Sequence, residues 1–297
     1  LPQANLGSEN NDSDFDKKRP IIAFKITDNG IGFNPDNWDS FNLAHSSYKY
    51  TKGGKGIGRI TWLRAFNSVF IDSVYRQNGH FNRRQFEFKI SKDGVENAQD
   101  FKIETPNPQR RTSVHLKNLN ERFQQWTNSD LEDIAIKIIE HCFSFFREQG
   151  CPRIILKDHY DEIVVNDYFK NFTRDSLDRK SAKIKGQKFD FEIVRMYSSK
   201  PDNKIHYRAH RREVISGKLT DFIPELKQPL MDEKGEKFSL SVYVSSDYLD
   251  DKVNEERTEI SFSKADDFFP DEIEKIEVSE QAVAVVRELY QEYINII

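Results

Sequence analysis

Asp28-Asn29-Gly30-Ile31-Gly32-Phe33 follows directly on the apolar run Ile21–Thr27, and Gly54-Lys55-Gly56-Ile57-Gly58 begins 26 residues after Asp28. These two glycine boxes, taken together, decide the fold. In the first, a carboxylate at a strand end can accept a hydrogen bond from an exocyclic amine. Two glycines let the backbone approach a flat ring with no Cβ in the way. The combination suits a purine base; the plain alternative is an ordinary turn, which Asn-Gly often makes. The second box opens a helix. Backbone N–H groups at a helix start form an anion site, and glycine lets a phosphate come close. Lys55 or Arg59 could add charge there. The box is not a Walker A loop, and its glycines run at i, i+2 and i+4 rather than in the dinucleotide-binding spacing. Its plain alternative is a surface loop without a ligand.

Outward from the boxes the chain is mixed α and β. The stretch Phe33–Lys52 reads as loop-rich, and Ile60–Phe66 as a short apolar helix. Val69–Tyr75, Gln85–Ile90, Phe101–Glu104 and Ser113–Leu116 read as strands. Asp130–Glu148 is an amphipathic helix, with Leu131, Ile134, Ile138, Cys142 and Phe145 on one stripe. Ser129 and Glu132 have the spacing of a capping box, and Gly150 and Pro152 stop the helix. Arg153–Leu156 and Ile163–Val165 form a hairpin, and the charged stretch Lys170–Lys180 reads as a junction. Beyond it lie strands at Lys188–Tyr197, Ile205–Ala209 and Phe238–Val244, and a final helix near Ser279–Tyr293. The order favours an α+β architecture in two layers.

Bulk properties exclude several classes. At 297 residues the chain holds one large or two medium domains, and 37% hydrophobic content with 23 Phe is enough for a real core. A net charge of −4 gives no global footprint for nucleic acid or membrane. No apolar run is long enough to span a bilayer, so no membrane partner is expected. Leu1–Pro20 is polar and acidic, unlike a signal peptide. Cys142 and Cys151 fit no zinc pattern, and the cytoplasm is the expected compartment. There is no His-Glu-x-x-His pair and no Gly-x-Ser-x-Gly elbow. The basic run Tyr207–Arg212 reads as a strand end and turn rather than a nucleic-acid patch.

The two boxes, with Ala44-His45-Ser46-Ser47-Tyr48-Lys49 between them and Arg111-Thr112-Ser113-Val114-His115-Leu116 downstream, resemble the GHKL class of ATPases. That class includes gyrase B, ninety-kilodalton heat-shock chaperones, histidine kinases and MutL. The motifs stand in the family's order within about 85 residues: Asp-x-Gly-x-Gly, a lid, Gly-x-Gly-x-Gly opening a helix, then a Thr-bearing strand. The block from Gly54 to Phe66 looks like the heat-shock-chaperone segment at this place, and among subfamilies the chaperone-like or MORC-like type fits best. The resemblance implies a Bergerat-type two-layer α/β sandwich with a mixed, mainly antiparallel sheet. It implies ATP as ligand, with Mg²⁺ bridging the phosphates. On this basis the binding residues are Asp28, Gly30, Gly32, Ser46, Ser47, Gly54, Lys55, Gly56, Ile57, Gly58 and Thr112. Thr112 would support the adenine-binding Asp28 through a water.

The family also carries an upstream helix with an Asn that holds Mg²⁺ and, in hydrolysing members, a Glu that activates water. Leu1–Pro20 has Glu9, Asn10 and Asn11, but in a polar run without apolar periodicity. Leu1 is not an initiator Met, so the expectation is that the natural chain extends upstream. Downstream, Ser245–Arg257 resembles the chaperone middle-domain segment whose Arg contacts phosphate, which makes Arg257 the candidate catalytic residue. The expected domains are therefore an ATP-binding domain at 1–175 and a transducer-like α/β domain at 176–297. The expected behaviour is an ATP-driven conformational switch, with an adenine nucleotide as partner and an ATP-dependent homodimer by analogy. The alternatives are a non-hydrolysing sensor or scaffold, and a DNA-repair or topoisomerase-like subunit. The client, protein or nucleic acid, is not legible.

Overall fold

The computed structural model describes residues 21–43, 58–124, 130–174, 176–197, 202–254, 256, 258–263 and 272–297. The chain divides into two compact units, Leu1–Asp130 and Leu131–Ile297. The first contains β1 (Phe24–Asp28), α1 (Pro35–Asn42), α2 (Gly58–Ala65), β2 (Phe66–Gln77), β3 (His80–Phe88), β4 (Val95–Lys102), β5 (Arg111–Leu119) and α3 (Glu121–Gln124). Its five strands form one antiparallel sheet in the order β1-β5-β2-β3-β4.

Directly opposed residues of an antiparallel sheet point to the same face. The register therefore builds rows across the strands. Phe24, Leu116, Val69 and Phe88 form one row, and Ile26, Val114, Ile71 and Phe86 the next. Buried positions alternate along β2, which marks this face as the core side. Phe33, Trp38 and Phe41 from the first-box loop and α1, and Trp62 and Leu63 from α2, pack on it. Phe86 is the hub. The rings of Phe33, Trp38 and Phe41 meet it edge-on at 5.1, 4.9 and 5.3 Å, a favourable aromatic geometry. The helix α1 occupies part of what the sequence reads as loop. Asn34 caps it by accepting the Asn37 N–H at 2.9 Å, and Pro35 follows at the first turn.

The second unit runs α4 (Leu131–Phe146), β6 (Ile155–Lys157), β7 (Glu162–Val164), α5 (Val165–Thr173), β8 (Asp178–Ile184), β9 (Gln187–Met196), β10 (Lys204–Ala209), β11 (Arg212–Lys218), β12 (Leu230–Met231), β13 (Lys237–Ser245), α6 (Asp247–Lys252) and α7 (Lys275–Asn295). The main sheet has the order β11-β10-β13-β9-β8, with β12 added on β13. Only β10 and β13 pair in parallel within it. Phe238 to Val244 of β13 are all buried, the pattern of a strand covered on both faces. On one face α4 and α5 bring Ala135, Ile139, Phe143, Val165, Phe169 and Phe172 against Val194, Met196 and Tyr243. On the other, Val278, Ala282, Val285, Val286, Tyr290 and Ile294 of α7 join Ile193, Val242 and Val244. A capping box between Glu274 and Glu277 starts α7.

Three sequence expectations shift here. The buried stripe of α4 is Ala135, Ile139 and Phe143, one residue on from Ile134, Ile138 and Cys142. Apolar residues cover most of this helix, so spacing alone does not single out the inward face. Residues 165–173 and 178–184 form α5 and β8 rather than an open junction. The division by packing also falls at 130/131, not 175/176, because α4 and α5 bury their apolar faces on the second sheet. Among the described residues, no helix is long and apolar enough to cross a membrane.

The α4 side of that sheet also buries charge. His206 lies 2.8 Å from the Glu213 carboxylate and stacks on Tyr243 at 4.5 Å, and Tyr243 stacks on Phe143 at 4.2 Å. Arg208 donates to Glu192 and to the Ser144 hydroxyl, each at 2.7 Å. The run Tyr207–Arg212 is thus a strand end and a two-residue turn, with His210 and Arg211 at φ +48° and +70°. Burial pushes the Glu192 carboxyl up, but the charge and hydrogen bonds of Arg208, with Arg179, hold it below its ordinary value. A carboxyl that titrates lower folded than unfolded contributes stability above about pH 4.5, its ordinary value, and loses it as pH falls through the folded value. Glu192→Gln should therefore lower the stability of the second unit at pH 7 by about 1–3 kcal/mol. Melting curves should show the gap to wild type narrowing as pH falls toward 3; a gap independent of pH would contradict this assignment.

Candidate functional site

Asp28 ends β1 and is exposed, on the same face of the sheet as the core rows. One of its carboxylate oxygens accepts the Gly30 N–H at 2.8 Å, closing a local turn of the kind Asp favours. A Cβ on Gly30 would lie 2.7 Å from that oxygen. Gly32 is held more tightly. Its φ is +76°, and a Cβ would lie 2.7 Å from the Ser73 hydroxyl, 3.0 Å from Tyr75 Cβ and 3.2 Å from the Val74 carbonyl. The loop backbone lies flat on β2, and only glycine permits that approach.

Beyond the glycines the loop is pinned by side chains. The Phe33 N–H donates to the Ser73 hydroxyl at 2.9 Å, and the Asn37 amide donates to the Gly32 carbonyl at 2.6 Å. The Ser73 hydroxyl also bonds that of Thr112 at 2.9 Å. Thr112 is the cross-strand partner of both Asp28 and Ser73. The row continues through Arg84, opposite Ser73, to Asp100, opposite Arg84. Asp28, Thr112, Ser73, Arg84 and Asp100 therefore form a polar row crossing all five strands beside the apolar rows. Ile26, two residues before Asp28 on the same face, is 48% exposed, and Ile31 in the loop is 53% exposed. An exposed carboxylate thus stands among exposed apolar side chains.

Of the second box, only Gly58 is among the described residues. It is the first residue of α2, and a Cβ there would meet nothing within 4 Å. Ser46, Ser47, Gly54, Lys55, Gly56 and Ile57 lie outside the described residues, as does Arg257. Arg59 donates to the Leu43 carbonyl at 2.7 Å and lies over the Phe41 ring at 5.1 Å. It therefore ties the end of α1 to the start of α2, the two ends that flank residues 44–57. Sequence reasoning did not single out Ser73, Asn37 or Arg84. The available signal was a lone hydroxyl at a core position of the alternating run Val69–Tyr75. Among the described residues, no group of three or more His, Cys, Asp or Glu could hold a metal ion.

Gly32 and Gly58 differ in what local packing asks of them. Gly32→Ala should destabilise the first unit by about 1–3 kcal/mol, through a left-handed φ and a clash with β2. Gly58→Ala should be neutral or stabilising by up to about 1 kcal/mol, since Ala is the better helix former. Urea unfolding of both variants would check the contrast, and equal effects would refute it.

No protein-family model matches the sequence, and no curated protein does. Among solved structures, similarity is found to the ATPase region of Saccharomyces cerevisiae topoisomerase II, and to the same region bound to ICRF-187 (dexrazoxane). Identity is 8% in both cases, over 75% of this chain and 64% of the other, with TM-scores of 0.38 and 0.37. The chain thus covers less than two thirds of those structures, and the reading of the site rests on its own residues.

Proposed function

We propose that the first unit binds an adenine nucleotide in the manner of GHKL ATPases, and that the chain is an ATP-driven conformational switch of chaperone-like or MORC-like type. The observation that carries the reading is the exposed Asp28 carboxylate, fixed by Gly30, opposite Thr112 in register and bordered by Ile26. A carboxylate accepts from an exocyclic amine, and apolar side chains cover the faces of a flat ring. Those properties fit adenine. Asp28 would take the amino group and Thr112 would support it. The bare backbone of Gly30 and Gly32 would allow the ring to approach. Ser46, Ser47 and the second box, Gly54 to Gly58 with Lys55, would hold the phosphates through N–H groups at the start of α2. Mg²⁺, when bound, would neutralise phosphate charge. Arg257 is the proposed phosphate contact, from a transducer-like second unit. ATP-dependent homodimerisation belongs to the same proposal, and the chaperone-like role would engage a client.

A second reading is nucleotide binding without turnover, the same site serving as a sensor. General-base catalysis needs a carboxylate within reach of the attacking water. Single-turnover phosphate release separates the two readings.

Asp28→Asn tests the shared core of both. Asparagine keeps an oxygen for the Gly30 N–H and places an NH₂ where a carboxylate oxygen met the amine. Calorimetric titration with ADP should show wild type binding and Asp28→Asn weakened by about 10–100-fold, with circular dichroism unchanged. GDP should compete poorly. If ADP fails to bind the folded wild type, or binds the variant equally well, the reading is wrong.

A further inference from the structure

We propose that Arg84 is a positioning residue for the adenine-binding loop, acting through the peptide of Phe33 rather than on the ligand. The inference rests on the nucleotide reading above. Arg84 is only 8% exposed, on β3, which β5 and β2 separate from the β1 strand of Asp28. Its Nε and Nη2 form a fork with Asp100, both at 2.8 Å. Its guanidinium lies over Trp38 at 4.5 Å and Tyr75 at 5.4 Å. An ion pair that only joined β3 to β4 would be complete with that fork. The remaining Nη1 instead donates to the Phe33 carbonyl at 3.2 Å.

Residue 33 is therefore held at both backbone groups, its N–H by Ser73 on β2 and its carbonyl by Arg84 on β3. Asn37 of α1 holds the Gly32 carbonyl. The loop between β1 and α1 contains two glycines, the residues with most conformational freedom to lose, and lies outside the strand ladder. Its shape depends on these side-chain anchors. Because Gly30 in turn fixes the Asp28 carboxylate, the hold of Arg84 reaches the group that would meet the base. The planar fork suits Arg and not Lys: an ammonium cannot serve Asp100 bidentately and Phe33 together.

The test uses the whole chain with ADP and adenosine as probes, read by calorimetry, and amide exchange at Phe33, read by NMR. The variants are Arg84→Gln, Arg84→Lys and the control Arg83→Gln. Arg83 lies on the opposite face of β3 and pairs with Asp72 of β2. Both Arg84 variants should lose affinity for ADP and adenosine equally, by about tenfold, while Phe33 exchange accelerates and β2 amides stay protected. Arg83→Gln should change neither. Loss confined to ADP would mean a direct phosphate contact and overturn the proposal. Unchanged affinity in a folded Arg84 variant, or unchanged Phe33 exchange, would also overturn it. If wild type binds neither probe, the nucleotide reading fails by itself; faster Phe33 exchange in the Arg84 variants then still supports the anchoring, and unchanged exchange overturns it.

Discussion

The hydroxyl of Ser73 is fully buried, in the polar row that borders the Val, Ile, Leu and Phe rows of the same sheet face. A hydroxyl in that position is tolerated only if its hydrogen-bonding capacity is met, because an orphaned polar group costs about 1–3 kcal/mol. Ser73 meets it with groups from two distant stretches of chain, the Phe33 N–H and the Thr112 hydroxyl. The first-box loop, β2 and β5 are thereby bound to one another at one atom. The glycine loop, the exposed carboxylate and the start of α1 take their positions from this junction. It also explains the placement of Gly32, since any side chain there would displace the same oxygen.

The site was legible in the order of its motifs and less so in its joints. Asp28, Gly30, Gly32 and Thr112 stand out because a carboxylate, two glycines and a strand threonine recur in a known order. Their adjacency follows from the register of β1 on β5, which sequence spacing does not dictate. Ser73 follows Asp72 in an alternating strand and Arg84 lies in the polar run Asn82–Gln85, where one sequence cannot separate a solvent-facing position from a buried one. The helix α1 was hidden because few of its residues are apolar, although Asn34-Pro35 signals its start. The strand β8 was hidden for the opposite reason. Its edge position is filled with Asp178, Arg179, Lys180 and Lys183, the charged decoration that protects sheet edges and that reads as a linker.

Charge is handled differently in the two units. In the first, Arg84 is buried with its ion-pair partner Asp100 more than half exposed, so part of the pair remains hydrated. In the second, Arg208 and Glu192 are both largely withdrawn from water, and His206 meets Glu213 inside a ring stack. Buried pairs of this kind add little net stability but penalise any packing that separates them. They select one arrangement of α4 on the sheet, where the apolar surface of that helix, spread over several faces, would accept more than one.

The strand β13 lies at the centre of its sheet, between β10 and β9, yet it is the last strand in the chain. The hairpins β8–β9 and β10–β11 join neighbours in sequence, but they meet only through β13. During synthesis these hairpins must wait side by side, each with an open edge, until residues 237–245 arrive. The first unit is closed earlier in the chain, because its own late central strand β5, which joins β1 to β2, ends at Leu119. A chain that has emerged as far as residues 218–237 would therefore carry the strands of the first sheet and two unjoined ribbons, a state exposed to aggregation and to chaperone capture.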